Sequence, residues 1–215
     1  MSITRSVEKI IRNKPFLQEA LVKGIINYGG LADELISDIE KEIGKKVQHA
    51  AVMMALRRLS EKLEKKPMTL LKFSENTSLI ARDSLVEVTV EKSKKTLDKI
   101  KELFNKVDYA KGDFLTVTQG MYEITIITNK NNLKWLLKNF KKEEIVAVLK
   151  NLSALTLTIP LEFTETQGFF YQVTKALSWE GINIKEIVST TRELTCLVNS
   201  EDISRAFDTL KKLVR

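Results

Sequence analysis

The stretch Thr164-Glu-Thr-Gln-Gly-Phe-Phe-Tyr-Gln-Val-Thr-Lys-Ala-Leu-Ser-Trp-Glu-Gly-Ile-Asn183 decides how this chain is read. It follows a strand-like run, Leu155–Ile159, that Pro160 stops. Gly168 stands where a loop enters a helix. Phe169, Phe170, Val173, Ala176 and Leu177 then recur at helical spacing, with Trp179 just beyond. Gly181 ends the helix, and Ile182-Asn183-Ile184 starts a new strand. The order is strand, polar loop, helix, strand. Such a corner admits two readings. It is an ordinary turn with a satisfied asparagine cap, or it holds a small zwitterion. For the second, glycine allows close approach to the backbone, and free N–H groups at the helix start suit a carboxylate. Asn183 would serve the ligand's other polar groups.

A resemblance joins these motifs. Thr166-Gln-Gly-Phe-Phe170, Ala176–Ile184, Val188-Ser-Thr190 and Glu193-Leu-Thr195 together resemble an ACT domain, closest to the regulatory ACT domains of aspartate kinases. That family's loop usually reads Thr-Pro-Gly, and here Gln167 takes the place of the proline. The resemblance implies an effector site at Thr164, Glu165, Thr166, Gln167, Gly168, Phe169, Asn183 and Ser189. It also implies a homodimer or larger assembly with the ligand at the subunit seam.

Working back toward the start, the preceding stretch carries the same order of elements. Leu85–Val90 alternates like a half-buried strand, and Leu97–Val107 has helical spacing. Phe114–Thr118 and Tyr122–Ile127 make a hairpin across Gln119-Gly120-Met121, Asn131 caps a helix, and Ile145–Leu149 is a strand. Strand-helix-strand-strand-helix-strand therefore occurs twice at a period of roughly 70 residues, an internal repeat of ferredoxin-like units. The second copy lacks its last strand, so a strand from the first copy or from another chain must cover that edge. The first copy's strand–helix loop, Glu91-Lys-Ser-Lys94, has no glycine and reads as structural.

The first 67 residues read as four helices: Ile3 to Arg12, Pro15 to Lys23, a third through Leu31 and Ile43 ended by Gly44, and a fourth from near Val47. Ile25–Gly30 reads as a connector. The fourth helix has a buried stripe at Val52, Leu56, Leu59 and Leu63. Two helices across a glycine turn make a helix-turn-helix pattern. Its DNA-facing candidates are Lys45, Lys46, Gln48 and His49, then Arg57 and Arg58. The alternative is a helical mini-domain with a solvated basic face. Ile25–Ala32 with Ala55–Leu59 resembles the front of archaeal proteins described as predicted regulators of amino-acid metabolism. Those pair a helix-turn-helix-like region with ACT units. Thr69–Phe73 and Ser78–Ala81 flank a turn. They form the wing of a winged helix, or the second strand leads straight into the next unit.

The expected architecture is α+β: a helix-turn-helix-like domain (1–67), a wing or connector hairpin (68–83), a degenerate ACT-like unit (84–150) and an ACT domain (151–215). The chain has 215 residues, 43% hydrophobic and 29% charged, a soluble globular balance. No apolar run reaches a membrane span, and no apolar signal core opens the chain. A single cysteine, Cys196, points to a reducing cytoplasm. The net charge is +7, and the excess lies before Leu152, which suits either nucleic-acid contact or lysine-rich solvated helices. One histidine, one cysteine and eight scattered glycines leave no metal cluster, nucleophile–base pair or phosphate loop. The expectation is a non-enzyme without cofactor, an amino-acid-responsive regulator that contacts double-stranded DNA. The alternative is a regulatory subunit of a metabolic enzyme such as an aspartate kinase.

Overall fold

The computed structural model describes residues 1–64, 77–163 and 168–214. The chain divides into two compact units, residues 1–71 and 72–215. The first is helical: α1 (Ile3–Arg12), α2 (Pro15–Val22), α3 (Tyr28–Ile43) and α4 (His49–Glu64). Ser2 caps α1, and Pro15 opens α2 where a missing N–H does no harm. The side-chain oxygen of Asn27 accepts from the N–H groups of Gly29 and Gly30, at 2.9 and 3.2 Å. That cap draws Tyr28–Gly30 into the first turn of α3, so the expected connector is shorter than its two glycines suggest. Gly44, at φ 76°, ends α3 in the left-handed conformation. Val52, Leu56 and Leu59 of α4 are buried among Val7, Ile11, Leu21, Leu35 and Ile39, so α4 is the helix the other three pack around. Inside this core the Ser60 hydroxyl donates to the Leu21 carbonyl at 2.8 Å.

The second unit runs β1 (Leu79–Glu91), α5 (Lys94–Lys106), β2 (Leu115–Gln119), β3 (Glu123–Asn129), α6 (Leu133–Asn139), β4 (Ile145–Thr158), α7 (Phe169–Trp179), β5 (Glu186–Ser189), β6 (Glu193–Asn199) and α8 (Ile203–Val214). Its strands form one antiparallel sheet in the order β2-β3-β1-β4-β6-β5. The repeat expected as two separate units is here one continuous sheet. Two expected strands, Ile145–Leu149 and Leu155–Ile159, fuse into the 14-residue β4. β1 and β4 pair along nearly their whole length, Leu79 with Leu157 at one end and Val90 with Ile145 at the other. The later part of β1 pairs with β3, and its first residues, 79–82, pair with the end of β4. Those first residues supply the strand that the second copy lacks. Leu79–Ala81 thus leads directly into the sheet; the rest of the expected wing, 69–76, lies outside the described residues.

Each long strand passes from one half of the sheet to the other at a residue of positive φ, Ser84 (60°) and Asn151 (55°). The β1–β4 register shifts beside Ser84, between Arg82 and Leu85. A second sign of the repeat is Asn129 and Asn199, each at φ −62°, ψ 144° before a 3-10 turn that leads into a helix. That turn, Lys130–Asn132, starts α6 where a cap by Asn131 was expected; the Asn132 amide donates to the Thr128 hydroxyl instead.

Val88, Val90, Ile124 and Ile126 point to α5 and α6, burying Ile100, Leu103, Leu136 and Phe140. On the opposite face Leu85, Ile127, Leu152, Ala154 and Leu197 form their own core with Phe114, Leu149 and Val188. Strand alternation puts them away from the helices. They are buried because the sheet curls around them.

Candidate functional site

Two stretches lead into a helix from a central strand, and they differ. After β1, Ser93 caps α5: its hydroxyl oxygen accepts from Thr96 N–H at 3.1 Å. The Thr96 hydroxyl in turn donates to the Glu91 carbonyl at 2.9 Å. That corner is short and satisfied by its own side chains. After β4 the chain takes ten residues, 159–168, to reach α7. Ile159 N–H donates to the Arg192 carbonyl at 2.6 Å, which ties the start of this loop to the β5–β6 hairpin. A 3-10 turn, Leu161–Phe163, follows. Thr164, Glu165, Thr166 and Gln167 lie outside the described residues.

Gly168 occupies the cap position of α7 at φ 88°, ψ 4°, and no side-chain hydrogen bond caps the helix among the described residues. A Cβ there would meet nothing within 4 Å, so the backbone angle and not crowding calls for glycine. Phe169 is buried, its ring 6.3 Å from Phe163 and edge-on to Phe170 at 5.4 Å. Its side chain anchors the helix in the core. What this residue offers a ligand is its backbone N–H, with those of Phe170 and Tyr171 beside it.

The expected convergence of Gly168 with Asn183 is not met within one chain. The strand expected from Ile182 begins at Glu186, and Asn183 is an exposed residue just past the far end of α7. Eleven helical residues separate the two ends by about 16 Å. Ser189 does return to the Gly168 end. It pairs with Leu194, which pairs with Leu157 near the end of β4, so Ser189 and β4 lie about 10 Å apart across two strand spacings. Ser189 is exposed and its hydroxyl donates to the Thr190 carbonyl at 3.2 Å. The arrangement at this end of the sheet can receive a carboxylate on helix N–H groups, with a hydroxyl near by.

In the helical unit, Lys45 and Lys46 are exposed in the α3–α4 turn. Gln48 is exposed, and its carbonyl accepts the Ala51 and Val52 N–H groups. His49 is not a surface reader: its Nε2 lies 3.2 Å from the Gly29 carbonyl and 3.0 Å from the Asp33 carboxylate, joining the starts of α3 and α4. Arg57 and Arg58 share an exposed stripe with Ala50, Met54 and Glu61, Arg57 pairing with Glu61 at 3.5 Å.

Two buried groups complete the chemistry. Burial pushes the Cys196 thiol up to about 11, which leaves it protonated and unreactive at neutral pH. Burial also raises Glu87, a residue that the alternation of Leu85–Val90 did not single out. Among the described residues no three His, Cys, Asp or Glu side chains gather as a metal site, and no helix is long and apolar enough to cross a membrane.

No family model matches the sequence, and no curated protein matches it. Solved structures do match by fold. The aspartate kinase of Clostridium acetobutylicum is 14% identical with a TM-score of 0.54, over 67% of this chain and 37% of that one. The regulatory subunit of aspartate kinase from Thermus thermophilus is 9% identical with a TM-score of 0.51, over 64% of this chain and 96% of that one. A structure of aspartokinase alpha and beta subunits is 12% identical with a TM-score of 0.51, over 63% of this chain and 96% of that one. The helical unit, 71 residues of 215, is too short to supply such shares, so the sheet unit carries the likeness. Its fold is ACT-like, the fold of aspartate-kinase regulatory subunits.

Proposed function

We propose that this protein is a non-catalytic regulator of amino-acid metabolism whose sheet unit takes an amino-acid effector at the start of α7. The effector's carboxylate meets the N–H groups of Phe169, Phe170 and Tyr171, with Thr164–Gln167 closing over it. The observation that carries this reading is the contrast between the two strand–helix corners. The α5 start is sealed by Ser93 and Thr96, while α7 begins at a glycine without a side-chain cap and at the end of a long loop. The likeness of the sheet unit to aspartate-kinase regulatory subunits supports it. Asn183 enters such a site only from a second copy of the chain, consistent with a homodimer and a ligand at the seam. The helical unit is then a docking module for a metabolic enzyme, an aspartate kinase being the first to try.

Thermal denaturation in the presence of each of the twenty amino acids tests the effector. A true ligand at one hundred times its dissociation constant stabilises the fold by about 2.7 kcal/mol, a shift of several degrees. Silence across all twenty overturns the reading.

One observation favours a second reading, contact with double-stranded DNA. The exposed stripe of α4 carries Arg57 and Arg58, and the turn before it carries Lys45, Lys46 and Gln48. Binding of generic duplex DNA that weakens steeply with salt, and that is lost in Arg57→Ala with Arg58→Ala, is the expected sign. Absence of binding at low salt leaves enzyme docking as the role of this unit.

A further inference from the structure

The inner face of the curled sheet holds a carboxyl that the effector reading does not use. Glu87 sits in the middle of β1, between Ile127 of β3 and Leu149 of β4, and is 6% exposed. Its Oε2 has no hydrogen-bond partner. A buried carboxylate left unpaired is costly, and the group answers by keeping its proton. Burial is the first cause of its raised proton affinity, and the nearby carboxylate of Glu186 is the second; the Thr89 hydroxyl opposes them.

The position of Glu186 makes this more than a buried acid. Glu186 opens β5, at the far edge of the other half of the sheet. It pairs with Leu197, Leu197 with Ala154, and Ala154 with Arg82, five residues before Glu87. On a flat sheet that path spans about 20 Å, too far for two carboxyls to sense each other strongly. The repulsion between them therefore crosses the inside of the curl, from one half-sheet to the other. The neighbours that β3 and β4 place beside Glu87 are uncharged: Thr125, Ile127 and Leu149. Among the described residues the charged group that faces Glu87 is Glu186.

We propose that Glu87 and Glu186 share one proton across the inside of the sheet, a latch that holds the two halves closed and releases when the proton leaves. The protonated Oε2 of Glu87 donates to a Glu186 oxygen; ionised, both are acceptors and repel. The folded state raises Glu87 above its ordinary 4.5, so the stabilisation is complete below that pH. It is lost as pH rises through the folded value. β5 carries Ser189 at its other end, so the same proton also reaches the effector end of the sheet. That link rests on the function proposed above; the latch does not.

Carbon-13 NMR of the full chain labelled at glutamate carboxyls, with amide exchange of β5, tests the latch. Glu87 is expected to titrate well above 4.5, and its midpoint to fall in Glu186→Gln. Protection of the Glu186–Ser189 amides is expected to drop about tenfold per pH unit between the ordinary and the folded value, and to stay level in Glu87→Gln. A wild-type Glu87 titrating at its ordinary value, or a midpoint indifferent to Glu186→Gln, overturns the proposal. If Glu87→Gln does not fold, the wild-type and Glu186→Gln titrations decide alone.

Discussion

The starts of α5 and α7 occupy the same place in the repeat and have opposite fates. At α5 the chain spends Ser93 and Thr96 on its own backbone, and the corner is closed after two residues. At α7 the chain spends ten residues and a left-handed glycine, and the helix begins without a side-chain cap. A repeated fold therefore does not repeat its chemistry. One copy keeps its helix dipole for itself, and the other presents it.

Substitutions can break or sharpen that contrast. The largest effect is expected from Gly168→Val. A β-branched residue at φ 88° is strained by about 1–3 kcal/mol, which denaturant unfolding reads as a lower midpoint. The bend that exposes the α7 N–H groups would move, and calorimetry should find effector affinity reduced by tenfold or more, about 1.4 kcal/mol. Next comes Ser93→Ala. It removes the α5 cap at a cost of about 1 kcal/mol in unfolding experiments and leaves effector affinity unchanged. An equal loss of affinity in both variants would erase the distinction between the corners. The smallest effect concerns the crossing points. Ser84→Gly relieves a positive φ and should stabilise by a few tenths of a kcal/mol up to about 1 kcal/mol. Asn151→Gly should gain less in the same melts, because asparagine tolerates that conformation.

Much of the fold was legible in local signals. Gly44 marked the end of α3, the stripe Val52, Leu56 and Leu59 marked the buried face of α4, and the alternation Leu85–Val90 marked the core of β1. These depend on helical or strand period alone. The shared sheet was not legible. Lys150 and Asn151 read as a break because both are polar, yet Asn151 bends the backbone without ending β4. That outcome depends on pairing with β1, whose residues lie about 67 positions earlier. The site was half legible. Gly168 was found by its place before an apolar helix. Asn183 was grouped with it because both flank α7, but flanking residues sit a helix length apart. His49 looked like a surface cation and is taken up by Gly29 and Asp33, a contact no spacing rule announces.

The central claim, that α7 and not α5 receives the effector, is tested most directly by amide chemical-shift mapping of the full chain with an amino acid that raises its melting temperature. The account predicts that the largest shifts fall on Phe169, Phe170 and Tyr171, with Ser93 to Thr96 unmoved. Saturable binding that leaves the three α7 amides in place, or that moves the α5 corner instead, would contradict it.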